Sequence, residues 1–367
     1  MSLLHDVILN CSGEAMSITS TLMRRYGDTD FVTGLRAVAI IMVLVIHSGA
    51  FVDFGTIGQS VTDNGKFGVQ IFFVIAGFTI FQNVSSSDYK NYLVRRAFRV
   101  VPVYYMFVII GFVLLYLGFL QPNYWMEKSG ADINFYNLAM HLSLLSSWDD
   151  AIAASIIGVE WTIPVEVFWY ILLPIIARPH DGVFKVATVI LLLVIVSYFS
   201  RKLFGPDYLN WGSRFTPLKY GLYFYLGYLA GSLRGRAIFL GAMEPWICGL
   251  CVVLWLWLMM NYRPDNDSMF ALVTAALIVC VHPSNWVARI LTTRPMIIIG
   301  SVSYSIYLIH MTIIYIMDAA SVNDHISRLS QFGIVILVTL ALSILSYRYV
   351  EVPFNRFGKR FVLKYFK

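Results

Sequence analysis

Residues 33–53 read TGLRAVAIIMVLVIHSGAFVD. A run this long and this apolar has the length needed to cross a hydrocarbon core of about 30 Å. Inside it stand two ionisable side chains, Arg36 and His47, eleven residues apart. On a helix turning about 100° per residue, that spacing is three turns plus about 20°. The two side chains therefore share one face, about 16 Å apart along the axis. An ionisable group at bilayer depth costs roughly 2.5 kcal/mol or more on insertion scales, which makes each a functional candidate. The structural alternative has Arg36 snorkelling to an interface and His47 hydrogen-bonded as a packing residue.

Outward from this stretch, further apolar blocks recur. They predict spans near 66–84, 101–120, 160–177, 184–200, 216–233, 245–262, 268–284, 297–317 and 331–350. With 33–53 that gives about ten, each near the length a bilayer demands. Composition agrees: of 367 residues, 58% are apolar and 13% charged, against about 25% charged in soluble domains. Mean hydropathy is +0.70. The expected fold is all-α, a polytopic transmembrane helical bundle with both termini cytosolic. Residues 1–30 are expected to be a cytosolic N-terminal tail, 31–355 the transmembrane domain and 356–367 a basic cytosolic tail. In the tail the apolar residues precede Arg24 and Arg25, the reverse of a secretory signal's order. No attached soluble catalytic domain is expected.

Charge supports this topology. Counting loops alternately, the inner segments hold eighteen Lys and Arg and the outer segments eight, with Arg36 left over. That asymmetry is the positive-inside bias, so the net charge of +6 is loop bias and not affinity for nucleic acid. The outer loops collect carboxylates, among them Asp53, Asp149, Asp150, Asp207, Asp265, Asp318 and Asp324. The longest loop, 121–159, carries Trp125, His141 and Trp148 and is expected to form an amphipathic or re-entrant element. Cys248 and Cys251 have C-x-x-C spacing inside an apolar run and are read as packing residues. The seven His lack ligand spacing, so no metal site is expected.

Three further segments carry chemistry. Glu160-Trp161-Thr162-Ile163-Pro164-Val165-Glu166 places Glu160 at an outer boundary and Glu166 about one and a half turns inside a span. A carboxylate there needs a partner or a proton; it could orient His47, bind a sugar hydroxyl or form a structural ion pair. Ser303, Tyr307 and His310 lie at i, i+4 and i+7 on one helix face, suited to a site or to bonding between spans. Arg95, Arg96 and Arg99 fall within five residues, a phosphate clamp or an ordinary inner-loop signal.

Together these segments resemble the membrane acyltransferase family 3. Arg36 and His47 match its R-x10-H signature. Phe72-Phe73-Val74-Ile75-Ala76-Gly77 matches its Phe-Phe-x-x-Ser-Gly, with Ala for Ser. Arg95-Arg96-x-x-Arg99-x-x-Pro102-x-Tyr104 matches its arginine-rich segment. Trp161 to Tyr170 matches Trp-Ser-Leu-x-x-Glu-x-x-Phe-Tyr, with Thr162 for Ser. Ser303 to His310 matches Ser-Tyr-x-x-Tyr-Leu-x-His, and Glu351 and Pro353 match Glu-x-Pro. The resemblance covers residues 30–355 and implies transfer of an acyl group, most often acetyl from acetyl-CoA, to a hydroxyl of a polysaccharide or lipid-linked glycan.

On that reading the implied partners are acyl-CoA, a carbohydrate acceptor and the bilayer of the inner (plasma) membrane. Acyl-CoA is a co-substrate, and no cofactor is permanently bound. Oligomeric state is left open. Arg95, Arg96 and Arg99 would hold the CoA phosphates with Arg36 deeper. His47 would act as general base and Glu166 would orient it or bind the sugar. Trp161, Tyr307 and His310 are assigned to substrate binding, and Tyr307, His310 or Arg36 to the tetrahedral oxyanion. An acyl-histidine intermediate is equally allowed. The rival reading is a transporter or glycan carrier with an intramembrane proton relay; it predicts an inverted repeat, and none is visible.

Overall fold

The computed structural model describes residues 29–177, 182–203, 214–234, 241, 243–261, 267–320 and 326–366. The expected tail up to residue 28, and the charged positions Arg178, Asp207, Arg236, Arg263, Asp265 and Asp324, lie outside the described residues. Among the described residues every regular element is helical.

In chain order the helices are α1 (Asp30–Ser48), α2 (Gly55–Asp63), α3 (Phe67–Val84), α4 (Tyr89–Tyr116), α5 (Tyr124–Ser129) and α6 (Phe135–Leu142). Then come α7 (Thr162–Ile176), α8 (Val183–Leu203), α9 (Gly221–Arg234), α10 (Glu244–Met260), α11 (Asp267–Cys280) and α12 (Trp286–Leu291). The last are α13 (Arg294–Ser301), α14 (Ser303–Ala319), α15 (Arg328–Ser346) and α16 (Val352–Tyr365). Five helical stretches are long and apolar enough to cross a membrane, or six if the bent pair α13–α14 counts as one. Helices α7, α10 and α11 are apolar but shorter. The chain is a multi-pass membrane protein with a core of α1, α3, α7, α9, α11 and α14.

Backbone-to-backbone contact sets that core. A Cβ on Gly77 would overlap the Phe224 carbonyl oxygen of α9, and one on Gly227 the Val74 carbonyl of α3. Small residues at such crossings let membrane helices approach closely. This is why the Phe72–Gly77 motif ends in glycine. Gly77→Val is expected to cost at least the upper end of the ~1–3 kcal/mol typical of overpacking, because a carbonyl cannot rotate away. Detergent-solubilised variant protein should show a lowered unfolding midpoint and a smaller monodisperse fraction.

Several expectations need correction. The predicted span 297–317 is broken at Val302 into α13 and α14, which cross at 71°. Arg95, Arg96 and Arg99 are not in a loop: α4 begins at Tyr89, capped by Asp88, whose carboxylate accepts from the Lys90 amide. The expected tail falls largely within α16, which packs on α4 with Phe98 edge-on to Phe357 and tilted against Phe361. Glu160, expected at a boundary, is fully buried.

The long loop does turn inward. Residues 152–160 are buried without helix, so their backbone groups need partners that water would otherwise supply. Side chains provide them. Asn123 Nδ2 donates to the Ala154 and Ser155 carbonyls at 3.1 and 2.8 Å. Glu160 accepts from the Ile156 and Gly158 amides at 2.7 and 2.6 Å, with His141 Nε2 3.4 Å away.

Candidate active site

The core helices line a charged cavity of about 80 Å³. Arg36 enters from α1, Arg96 and Arg99 from α4, Glu166 and Tyr170 from α7, Tyr304 and Tyr307 from α14, and Glu351 from the end of α15. Its remaining wall is apolar, with Val69, Phe72, Phe73 and Ala76 of α3.

Arg96 is the most enclosed cation. Its side chain is 6% exposed, held between the rings of Tyr92 and Tyr170 at 5.8 and 5.1 Å. Its Nη2 has no hydrogen-bond partner. Buried donors are almost always satisfied, so this one is available to an anionic or carbonyl group. Arg36 Nη2 donates to Thr79 Oγ1 at 3.5 Å. Glu166 is hydrogen-bonded by Tyr170 and feels the charges of Arg96, Arg36 and Arg99.

Glu351 was met only as part of a motif. A π-helical turn, Tyr347–Glu351, connects α15 to α16 and turns the carboxylate into the cavity. Such turns are frequent at functional sites. The Ser305 hydroxyl lies 3.0 Å from Ser346 Oγ and 3.5 Å from Glu351 Oε2. The sequence signal available was a carboxylate at the end of an apolar run, directly before proline.

His47 lines a different cavity, of about 340 Å³, together with Ser48, Asp318, Arg328 and Gln331. Its partner is not Glu166. His47 Nδ1 lies 3.0 Å from His310 Nε2, with ring centroids 5.1 Å apart. The tautomers follow from the network. His310 Nδ1 meets the Ile306 carbonyl at 3.2 Å, so that nitrogen carries the proton. His310 Nε2 is then an acceptor, and His47 Nδ1–H donates to it. This leaves His47 Nε2 with its lone pair available, the state a general base requires.

The other expected site residues divide. Tyr307 lines the charged cavity, its ring 6.0 Å from that of His310, but its hydroxyl donates to the Val159 carbonyl at 3.0 Å and accepts from Thr162 at 3.1 Å. Its one proton is therefore used by the inward loop. Arg95 and Trp161 do not line the charged cavity. Trp161 packs edge-on to Phe73 and tilted against Phe215 and Tyr220. Arg36, Arg96, Arg99, Glu166 and Tyr307 are thus brought together, with His47 and His310 joined beside them.

A family model described as an acyltransferase domain, Acyl_transf_3, matches residues 29–348. The O-acetyltransferase OatA of Staphylococcus aureus is 26% identical over 359 residues, covering 89% of this chain and 57% of that protein. A putative peptidoglycan O-acetyltransferase, YrhL of Bacillus subtilis, is 27% identical over 366 residues, covering 89% and 55%. The chain therefore spans little more than half the length of these relatives. No solved structure matches it. The match runs from the start of α1 through α15 and takes in both members of the imidazole pair; the chain belongs to the acyltransferase family 3.

Proposed function

We propose that the protein is an inner-membrane O-acetyltransferase that moves an acetyl group from cytosolic acyl-CoA to a hydroxyl of a cell-surface polysaccharide or lipid-linked glycan. The relatives are named O-acetyltransferases. One observation carries the reading: a polarised imidazole stands beside a cation-lined cavity and faces a second, polar one. In the proposed topology about ten spans place both termini in the cytosol, with the charged cavity on the inner side.

The charged cavity suits an elongated donor. Arg96, Arg99 and Arg36 take the phosphate-bearing end, and the apolar wall of α3 takes the neutral arm. The thioester extends past Tyr307 toward the imidazole pair. The acceptor oxygen attacks the thioester carbonyl as its proton passes to His47 Nε2. The C–S bond then breaks, and the thiolate leaves and takes up that proton. His310 touches neither substrate; it fixes the tautomer of His47. Glu166 and Glu351 offset part of the arginines' charge.

Acetyl-CoA labelled in the acetyl group, incubated with purified protein and a glycan acceptor, should lose label from CoA. Full retention of label on CoA overturns the proposal. Arg96→Leu should raise the KM for acetyl-CoA by roughly tenfold or more, the effect of losing a hydrogen bond to a charged group of about 1.5–3 kcal/mol. Arg96→Lys should recover little, because it lacks the planar fork that stacks between Tyr92 and Tyr170. Steady-state kinetics with varied donor read both.

A further inference from the structure

We infer that the second cavity is the acceptor site, and that it takes a neutral, hydroxyl-rich sugar and not an anionic one. The inference rests on the acyltransferase reading above. Four features of the cavity support it.

First, it holds the reactive atom. His47 lines it, and its Nδ1 is committed to His310, so Nε2 is the nitrogen left for an acceptor hydroxyl. Second, its polar edge can bond hydroxyls in both senses. Asp318 accepts and Gln331 both donates and accepts. The Ser48 proton goes to the Leu44 carbonyl at 2.7 Å, which leaves its oxygen as an acceptor. Third, Met317 and Val335, both buried, supply an apolar wall on the same cavity. A hydroxyl edge against a C–H face is the surface of a pyranose ring.

Fourth, the charges argue against an anion. Gly49, at φ +62°, ends α1, and a Cβ there would lie 3.0 Å from Arg328 Nη1. The glycine lets Arg328 fold over the end of α1, where its Nε meets Asp53 Oδ1 at 3.6 Å. Among the described residues, one guanidinium meets the carboxylates of Asp318 on the cavity and Asp53 beside it, which leaves no cationic surplus there for a phosphate or uronate. The contrast with the three arginines of the charged cavity is direct.

The test uses the full chain in detergent, acetyl-CoA as donor and two probes, a neutral chito-oligosaccharide and a uronate oligosaccharide. The expected result is at least about a tenfold preference in kcat/KM for the neutral probe. Gln331→Ala should raise the KM for that probe about tenfold with the KM for acetyl-CoA unchanged. Asp318→Asn should narrow the preference, which a merely structural role for Asp318 would not do. An unchanged acceptor KM in both variants, or a preference for the uronate, overturns the inference. Binding of the neutral probe is read separately by saturation-transfer NMR. If wild-type protein transfers acetyl to neither probe, the acyltransferase reading fails; Gln331-dependent binding would then sustain the cavity as a sugar site, and absent binding would overturn that too.

Discussion

Replacing His47 with alanine is expected to lower acetyl transfer by about 10²–10⁴-fold, the usual contribution of a positioned general base. The size of the effect follows from how the base is prepared. The Ile306 carbonyl holds the proton on His310 Nδ1, and His310 Nε2 then holds the proton of His47 on Nδ1. Two hydrogen bonds thus select one neutral tautomer with Nε2 unprotonated. His310→Ala should cost less than His47→Ala, because the base remains while its tautomer is no longer selected. His47 lies near the end of α1 and is half-buried, so folding should survive its truncation. Transfer rates and the detergent unfolding midpoint are measured on the same preparations. A folded His47→Ala protein with wild-type transfer would remove the imidazole from the chemistry.

Glu160→Ala is expected to destabilise the protein by about 2–6 kcal/mol, since each of two buried amides left without an acceptor costs about 1–3 kcal/mol. Glu160 and His141 are both fully buried. The carboxylate closes a turn by accepting from the Ile156 and Gly158 amides. Truncation leaves two amides without acceptors in a segment that has no helix to satisfy them. The same segment presents the Val159 carbonyl to Tyr307, so the effect should reach the charged cavity. Glu160→Gln retains one acceptor oxygen and should lose less. Thermal unfolding in detergent reads the difference; an unchanged midpoint for Glu160→Ala would show that the inward loop is held by other contacts.

Much of this site was legible in the sequence because helical periodicity is local. The eleven-residue spacing of Arg36 and His47 placed both on one face of α1, and the Ser303, Tyr307 and His310 stripe held on α14. What was not legible is tertiary. Nothing in the chain says that His47 meets His310 across 263 residues while Glu166 sits with the arginines. The two glutamates of the 160–166 segment differ by six positions, and only the fold shows that Glu160 secures a loop while Glu166 lines a cavity. The break at Val302 has a local signal in Gly300-Ser301-Val302-Ser303, where Gly/Ser pairs permit a kink, but the apolar runs beyond it read as one span. The full length of α4 is not visible from hydropathy because its first turns, from Tyr89 to Arg99, are polar. The inward loop was expected in outline, since 121–159 was long and rich in aromatics, but its side-chain partners, Asn123 and His141, gave no periodic signal.

The central claim is that an acetyl group crosses from the arginine-lined cavity to a sugar hydroxyl by way of His47. Sealed proteoliposomes with labelled acetyl-CoA on one side only and a neutral oligosaccharide on the other test it most directly. The account predicts label on the oligosaccharide of the opposite compartment, abolished in His47→Ala vesicles of equal protein content. Label that does not leave CoA, or that leaves it only when the oligosaccharide is supplied in the donor's own compartment, would contradict it.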